Sequence, residues 1–241
     1  MAFNFGSHIV TNGLIFYVDA ANANSYINGS TTWKDLTRNN NNGTLLNGPT
    51  FNSANAGSIQ LTAGSGKYIR IPANTTIQRQ FPFTIGVTAL TVGTNNGYVF
   101  GTDDDISGYS GAGITMRANG TGSIRFGNSG PPTQASRRSY TFTSSLAVGQ
   151  WVNVVFSCTS ITNIKIYVNG IDTPYVPDNG TATTVVYNSG DPIVIGRNAN
   201  NGSDVIEYYT GSISNVYMYD RALSATEALQ NYNATKSRFN L

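Results

Sequence analysis

Three consecutive aspartates, Asp103, Asp104 and Asp105, form the densest group of ligand-type side chains in the sequence. Gly101 and Gly108 bracket them, so they read as a turn whose oxygens lie close together. Clustered oxygen donors suit Ca²⁺. The spacing is not that of a helix-loop-helix calcium loop, and adjacent carboxylates in a solvated turn need no ion. Two readings therefore stand side by side: a Ca²⁺ site on Asp103, Asp104 and Asp105, or a plain polar turn. No motif requires any cofactor.

Hydrolytic chemistry is poorly supplied. A retaining glycosidase needs two carboxyl groups about 5–5.5 Å apart, one acid and one nucleophile. This chain holds only two glutamates, Glu207 and Glu227. Glu227 stands three residues after Ser224, the spacing of a helix capping box, which accounts for it structurally. Glu207 lies in Asp204-Val-Ile-Glu-Tyr-Tyr209 with no glutamate beside it. A serine triad needs a histidine base, and the single histidine is His8. The expectation is a protein without enzymatic activity.

Carbohydrate recognition asks for less: an aromatic face for the sugar ring and amide or carboxyl groups for its hydroxyls. Two loops offer this combination. One holds Asp103, Asp105 and Tyr109; the other holds Arg197, Asn198, Asn200 and Asp204, followed by Tyr208 and Tyr209. Trp33 with Asp35 is a weaker pairing, since Trp33 reads as an anchor of the opening loop in the core. Each residue also has a structural reading, because tyrosine packs in β proteins and Asn-Gly makes turns.

The elements that must carry these residues are strands. The 241 residues suit one large β domain, and Asn is even more frequent than the 26 Gly. Only 11% of residues are charged and the net charge is +2, which gives little steering toward nucleic acid. The one cysteine, Cys158, excludes an intrachain disulfide and reads as a small apolar core residue. Nothing in the sequence looks like a secretory leader, and no run is apolar enough to cross a bilayer as a helix. Residues 14–18 form the first clear strand. In residues 83–92, Phe83, Ile85, Val87 and Ala89 share one face; in 150–158, Val152, Val154, Phe156 and Cys158 do; in 163–168, Ile164, Ile166 and Val168 do. Asn169-Gly170 then supplies a two-residue turn. Residues 58–61 and 67–71 read as a hairpin across a glycine-rich link, residues 127–137 as a long loop, and residues 183–187 as a further strand. The late strand, Gly211-Ser-Ile-Ser-Asn-Val-Tyr-Met-Tyr-Asp220, is apolar on both faces and should be covered on both sides. A short helix follows, capped by Ser224, with Leu223, Ala228 and Leu229 as its apolar side. The fold expected is all-β: an antiparallel β-sandwich jelly roll with one short carboxy-terminal helix. No linker or repeat divides it, so residues 1–241 read as one domain, with residues 1–12 as a docking arm.

Three stretches carry a resemblance: Trp151-Val-Asn-Val-Val-Phe, Ile166-Tyr-Val-Asn-Gly170, and residues 211–227. They resemble the concanavalin A-like jelly rolls called laminin-G-like domains. The opening, Gly13-Leu-Ile-Phe-Tyr-Val-Asp-Ala-Ala-Asn-Ala-Asn-Ser-Tyr26 with Thr32-Trp-Lys-Asp-Leu36 and Gly43-Thr-Leu-Leu-Asn-Gly-Pro49, is similar to a subgroup found in virion proteins of tailed bacteriophages. The resemblance implies a sandwich whose relatives mostly bind glycans or proteins. Some are glycosidases, and many laminin-G-like domains carry a rim Ca²⁺.

Two functions follow as expectations. The first is a virion structural protein: capsid decoration, head fibre or tail-associated module. It would be made in the host cytoplasm and released by lysis, with major capsid or tail proteins and further copies of itself as partners. In that reading residues 1–7 or 238–241 touch another chain. The second is an adhesin for host-surface glycans, its weak single-site affinity multiplied by copy number. Neither calls for nucleic acid or membrane insertion. A glycosidase relative is the third and weakest reading.

Overall fold

Alternating apolar residues become a sandwich because each strand has one face to hide. In the computed structural model, which describes residues 8–62, 64, 66–92, 97–102, 108–117, 119–143, 148–199 and 207–241, that is what the chain does. In chain order the strands are β1 (Leu14–Asp19), β2 (Thr32–Trp33), β3 (Gly43–Leu46), β4 (Thr50–Asn52), β5 (Ser58–Leu61), β6 (Tyr68–Ile71), β7 (Phe83–Thr91), β8 (Gly97–Gly101) and β9 (Tyr109–Met116). They continue as β10 (Thr121–Gly130), β11 (Arg137–Thr143), β12 (Trp151–Ser160), β13 (Asn163–Val168), β14 (Ile171–Asp172), β15 (Tyr175–Pro177), β16 (Ile193–Ile195) and β17 (Gly211–Tyr219). One helix, α1 (Ala225–Thr235), follows.

Eight strands form one sheet in the order β14-β13-β12-β7-β17-β5-β4, with β1 also paired to β17. Nine form the other, in the order β15-β11-β10-β9-β8-β16-β6-β3-β2. All pairings are antiparallel, which establishes the all-β sandwich expected from the sequence. Phe83, Ile85, Val87 and Ala89 of β7 meet Ile114, Ile124, Phe126 and Phe142 of the opposite sheet between the layers. Each such side chain contributes about 1.5–3 kcal/mol by leaving water. Trp33 is fully buried in this core, as is Cys158. Burial pushes the Cys158 thiol up, so it stays protonated and inert.

The eight-stranded sheet has a second apolar face. Val155, Tyr167, Tyr217 and Tyr219 pack there against Val10, Leu223 and Ala228, so β17 is covered on both sides. The Ser224 hydroxyl accepts from the Glu227 amide and the Glu227 carboxylate accepts from the Ser224 amide, completing the capping box. Leu229 departs from expectation and stays 42% exposed, while Asn231 is buried in its place. Asn231 earns that position through a closed ring of hydrogen bonds. Its Nδ2 donates to the Tyr219 hydroxyl (3.0 Å), which donates to the Val10 carbonyl (2.7 Å), and the Val10 amide donates to Asn231 Oδ1 (2.8 Å). Within the expected docking arm, Val10 and His8 therefore bind their own helix, Gln230 donating to the His8 carbonyl. Residues 1–7 lie outside the described residues.

Three local expectations are corrected. Residues 58–61 and 67–71 are not a hairpin: β5 pairs with β17 and β4, whereas β6 pairs with β16 and β3 in the other sheet. The strands it joins lie in different layers, and Gly66 takes φ 62° between them. Residues 183–187 form no strand. They lie beside the sheet, where Gly111 donates to the Val186 carbonyl and Val186 donates to the Gly127 carbonyl. The loop expected over 127–137 is shorter, residues 131–136, since β10 runs to Gly130 and β11 starts at Arg137.

Candidate functional site

β6 and β16 lie side by side in register, Ile193 opposite Ile71 and Ile195 opposite Ile69. Those isoleucines point into the core, so Tyr68 and Arg70 take the outer face of the sheet. Just past β16, the Arg197 guanidinium lies over the Tyr68 ring, 4.0 Å from its centroid. On the other side of Tyr68, its cross-strand partner is Leu46, and the next residue, Asn47, donates from Nδ2 to the Gly66 carbonyl (2.8 Å). A Cβ on Gly66 would sit 3.5 Å from the Tyr208 hydroxyl, so Tyr208 closes the cluster. Alongside it runs an open groove of about 390 Å³ lined by Thr44, Leu46, Arg70, Pro72 and Ala73.

Arg197 and Tyr208 of the sequence-derived site are thus brought together. Asn198 is fully buried and engaged within the protein, so it offers no amide to solvent. Tyr209 is buried too, its hydroxyl sharing a hydrogen bond with Thr91 Oγ1 (3.1 Å). Tyr109 lies at the far end of the sheet. It opens β9, whose last residue, Met116, pairs with Gly97 near the Arg197 end. Eight residues of strand at roughly 3.4 Å each separate the two ends by roughly 25 Å. Tyr109 is occupied there: Arg137 stacks on its ring at 5.2 Å and donates to its hydroxyl (3.2 Å). Arg137 also pairs with Asp178 at 3.3 Å. Burial pushes the Asp178 carboxyl up, but the Ser139 and Gly180 amides, the Ser139 hydroxyl and Arg137 outweigh it and hold the group below the usual carboxylate range. Asp103, Asp104, Asp105, Asn200 and Asp204 lie outside the described residues. Among the described residues no three His, Cys, Asp or Glu side chains gather as metal ligands.

Tyr68, Asn47, Arg70 and Thr44 were not marked by sequence reasoning. Each sits in an ordinary alternating strand or turn, and only the β3-β6-β16 pairing brings them to one place. A second cleft, of about 320 Å³, lies on the outer face of the eight-stranded sheet and is lined by Asn52, Gln60, Thr210, Ser212 and Trp151 among others. The Phe239 ring packs 4.6 Å from that of Trp151. The hollow of about 440 Å³ near Tyr26 and Phe51 is larger, but its lining has no charged residue, and its two rings pack on each other at 5.5 Å.

The carboxylates are mostly committed to structure. Asp35 accepts from the Tyr17, Thr37 and Asn41 amides and from the Thr37 hydroxyl, at 2.9–3.0 Å. It is a buried staple of the opening loop, so the Trp33–Asp35 pairing is structural. Asp19 pairs with Arg238 and Glu227 with Arg221. Hydrogen bonds from Arg221 and Ser224, opposed by partial burial, hold Glu227 down at about 2. Glu207 is also engaged.

Two antiparallel sheets stacked face to face define a β-sandwich of the jelly-roll type. Residues 63–228 match the laminin-G family model Laminin_G_3 of the concanavalin A-like lectin/glucanases superfamily, and the chain belongs to that family. A comparison with curated protein sequences gives no significant match. Among solved structures, the binding domain of Paraclostridial Mosquitocidal Protein 1 superposes with a TM-score of 0.66 at 17% identity, over 92% of this chain and 52% of that one. The binding domain of botulinum neurotoxin DC, solved with rat synaptotagmin II, gives 0.65 at 14% over the same shares. Trypanosoma rangeli sialidase, solved with 2,3-difluorosialic acid, gives 0.60 at 17%, over 96% of this chain and 34% of that one. The chain thus spans about half the length of the toxin domains and a third of the sialidase. At these identities the likeness is one of fold.

Proposed function

We propose that this chain is a non-enzymatic bacteriophage virion protein that contacts host-surface glycans through the groove of its nine-stranded sheet. The observation that carries the glycan reading is the clustering of Tyr68, Tyr208 and Asn47 at the end of a groove edged by Thr44 and Arg70. Rings for stacking and short polar groups for hydroxyls are what a sugar site needs. The non-enzymatic reading rests on the carboxylates: Asp19, Asp35, Asp178 and Glu227 are each held by structural partners. The phage reading rests on the likeness of residues 13–49 to virion proteins. Binding domains of the same fold have been solved in complex with rat synaptotagmin II and with SialylT, which is in keeping with a binding role.

A glycan array probed with the intact chain tests the glycan reading. Retention on a defined set of sugars, lost in Tyr68→Ala, is the expected result; silence across the array removes it.

A second contact surface has its own support. Ile171 on β14 and Val176 on β15 are 69% and 67% exposed, and these two strands are the edges of the two sheets. Edge strands with exposed apolar residues are sites where a neighbouring chain adds on, and a repeated particle lattice supplies such neighbours. The carboxy-terminal contact expected from the sequence is disfavoured, because Arg238 and Phe239 pack on their own domain. An image of the particle should place β14 and β15 against another subunit; both edges facing solvent there would remove this contact.

A further inference from the structure

We propose that Arg197 is a receptor for the carboxylate of an acidic sugar, a reading that rests on the glycan-binding function above and narrows its ligand class. Arg197 is 8% exposed, yet its Nε is buried without a hydrogen-bond partner, and no described residue accepts from the guanidinium. Its close contact is the Tyr68 face, at 4.0 Å. A buried Nε without a hydrogen-bond partner is shared with Arg137 and Arg238, but those two guanidinium groups each meet a carboxylate. Arg238 pairs with Asp19, Arg221 with Glu227 and Arg137 with Asp178.

An arginine taken out of water without an anion is costly, so the lack of a carboxylate beside it among the described residues is the informative feature. Stacking on Tyr68 fixes the plane of the fork and leaves its edge donors to find an acceptor. A planar fork takes a carboxylate through two parallel hydrogen bonds, and such charge-assisted pairs are the strong ones. The surroundings choose the carrier of that carboxylate. Tyr208 and Asn47 meet at Gly66, two residues before the Tyr68 on which the fork stacks, and Thr44 and Arg70 line the groove along the same strand pair. Rings and hydroxyl-matching groups suit a uronic or sialic acid residue better than an acidic peptide.

The test uses surfaces carrying galacturonate, glucuronate or sialic acid, each beside its methyl ester, with polyglutamate as a sugar-free polyanion. Retention of the intact chain is measured by interferometry at fixed salt. The free acid of at least one sugar should bind about ten- to a hundredfold more tightly than its ester, the range of a hydrogen bond to a charged group. Arg197→Gln should abolish that difference. Arg197→Lys, which keeps the charge but loses the fork, should recover only part of it, and Lys165→Ala on the far edge should change nothing. Melting curves of each variant separate loss of the site from loss of the fold. Equal binding of acid and ester, unchanged by Arg197→Gln, would overturn the Arg197 assignment and leave the glycan reading standing. Binding to polyglutamate as tight as to the sugar acids would overturn the sugar assignment, as would no retention on any acid.

Discussion

Arg238 grips Asp19 with both terminal nitrogens, Nη1 donating to Oδ2 and Nη2 to Oδ1, each at 3.0 Å. The pair joins the end of the first strand to the turn after the last helix. Asp19 also accepts from the Tyr17 hydroxyl (2.9 Å) and the Ala21 amide (3.0 Å), so its oxygens are well satisfied. Asn55 donates to the Arg238 carbonyl (2.8 Å), fixing the same turn from the other side. The aspartate of the opening motif is thus a structural latch.

Breaking that latch should be expensive. The side chains are only 9% and 16% exposed, and removing one member of a buried pair typically costs about 3–5 kcal/mol because the other charge is stranded. Asp19→Ala should lower the urea midpoint by an amount in the lower part of that range, since Arg238 also donates to Ser214. Removing both partners should cost less than the sum of the single changes, as a double-mutant cycle will show.

Gly86 should tolerate no side chain. It faces outward on β7 beneath Tyr217, and an added Cβ would fall inside that ring. Tyr217 is 2% exposed and has nowhere to retreat. Gly86→Ala should destabilise by about 1–3 kcal/mol through overpacking, read as a lower denaturant midpoint with an unchanged slope.

Acid should weaken the helix clamp. Glu227 titrates at about 2 in the folded chain against an ordinary 4.5, chiefly because Arg221 hydrogen-bonds its carboxylate. A lowered carboxyl pKa adds stability that is fully present above about pH 4.5 and is lost as pH falls toward 2. Solvent screening at this partly exposed pair keeps the contribution near 1 kcal/mol. Glu227→Gln should therefore melt below the parent at pH 7, with the gap closing between pH 4.5 and 2.

Alkali should unfold the outer layer through its tyrosines. Burial raises Tyr217 from 10 to about 12 and pushes Tyr17 and Tyr219 up as well. A raised phenol pKa contributes stability that is complete below about pH 10 and is lost as pH climbs through the folded value. Tyrosinate absorbance should rise in two stages, exposed rings first and the buried ones only together with loss of near-ultraviolet dichroism.

The sequence announces what is local. The alternation in β7 and β12 places Phe83 to Ala89 and Val152 to Cys158 correctly, because a two-residue period needs no knowledge of partners. Asn169-Gly170 turns with φ 50° and 77°, and Ser224–Glu227 caps its helix, for equally local reasons. Pairing between distant strands is not local. The β5–β6 link looks like a hairpin turn, and only the competing partners β17 and β16 show that the two strands lie in different layers. The same limit hid half of the site. Arg197 and Tyr208 stood out by residue type in a polar loop, but Tyr68 and Asn47 became site residues only when β6 settled between β3 and β16. Asn198 failed in the opposite way, a polar side chain in a loop-like sequence that the fold encloses completely.

The central claim is that this molecule works by contact at the Tyr68–Arg197 groove and breaks no bond. The most direct measurement incubates the intact chain with a panel of neutral and acidic oligosaccharides, following bound fraction and product release together. Saturable binding that Tyr68→Ala removes, with every oligosaccharide recovered intact, is the predicted result. Release of shortened sugars by the parent chain, stopped by Glu207→Gln, would contradict it.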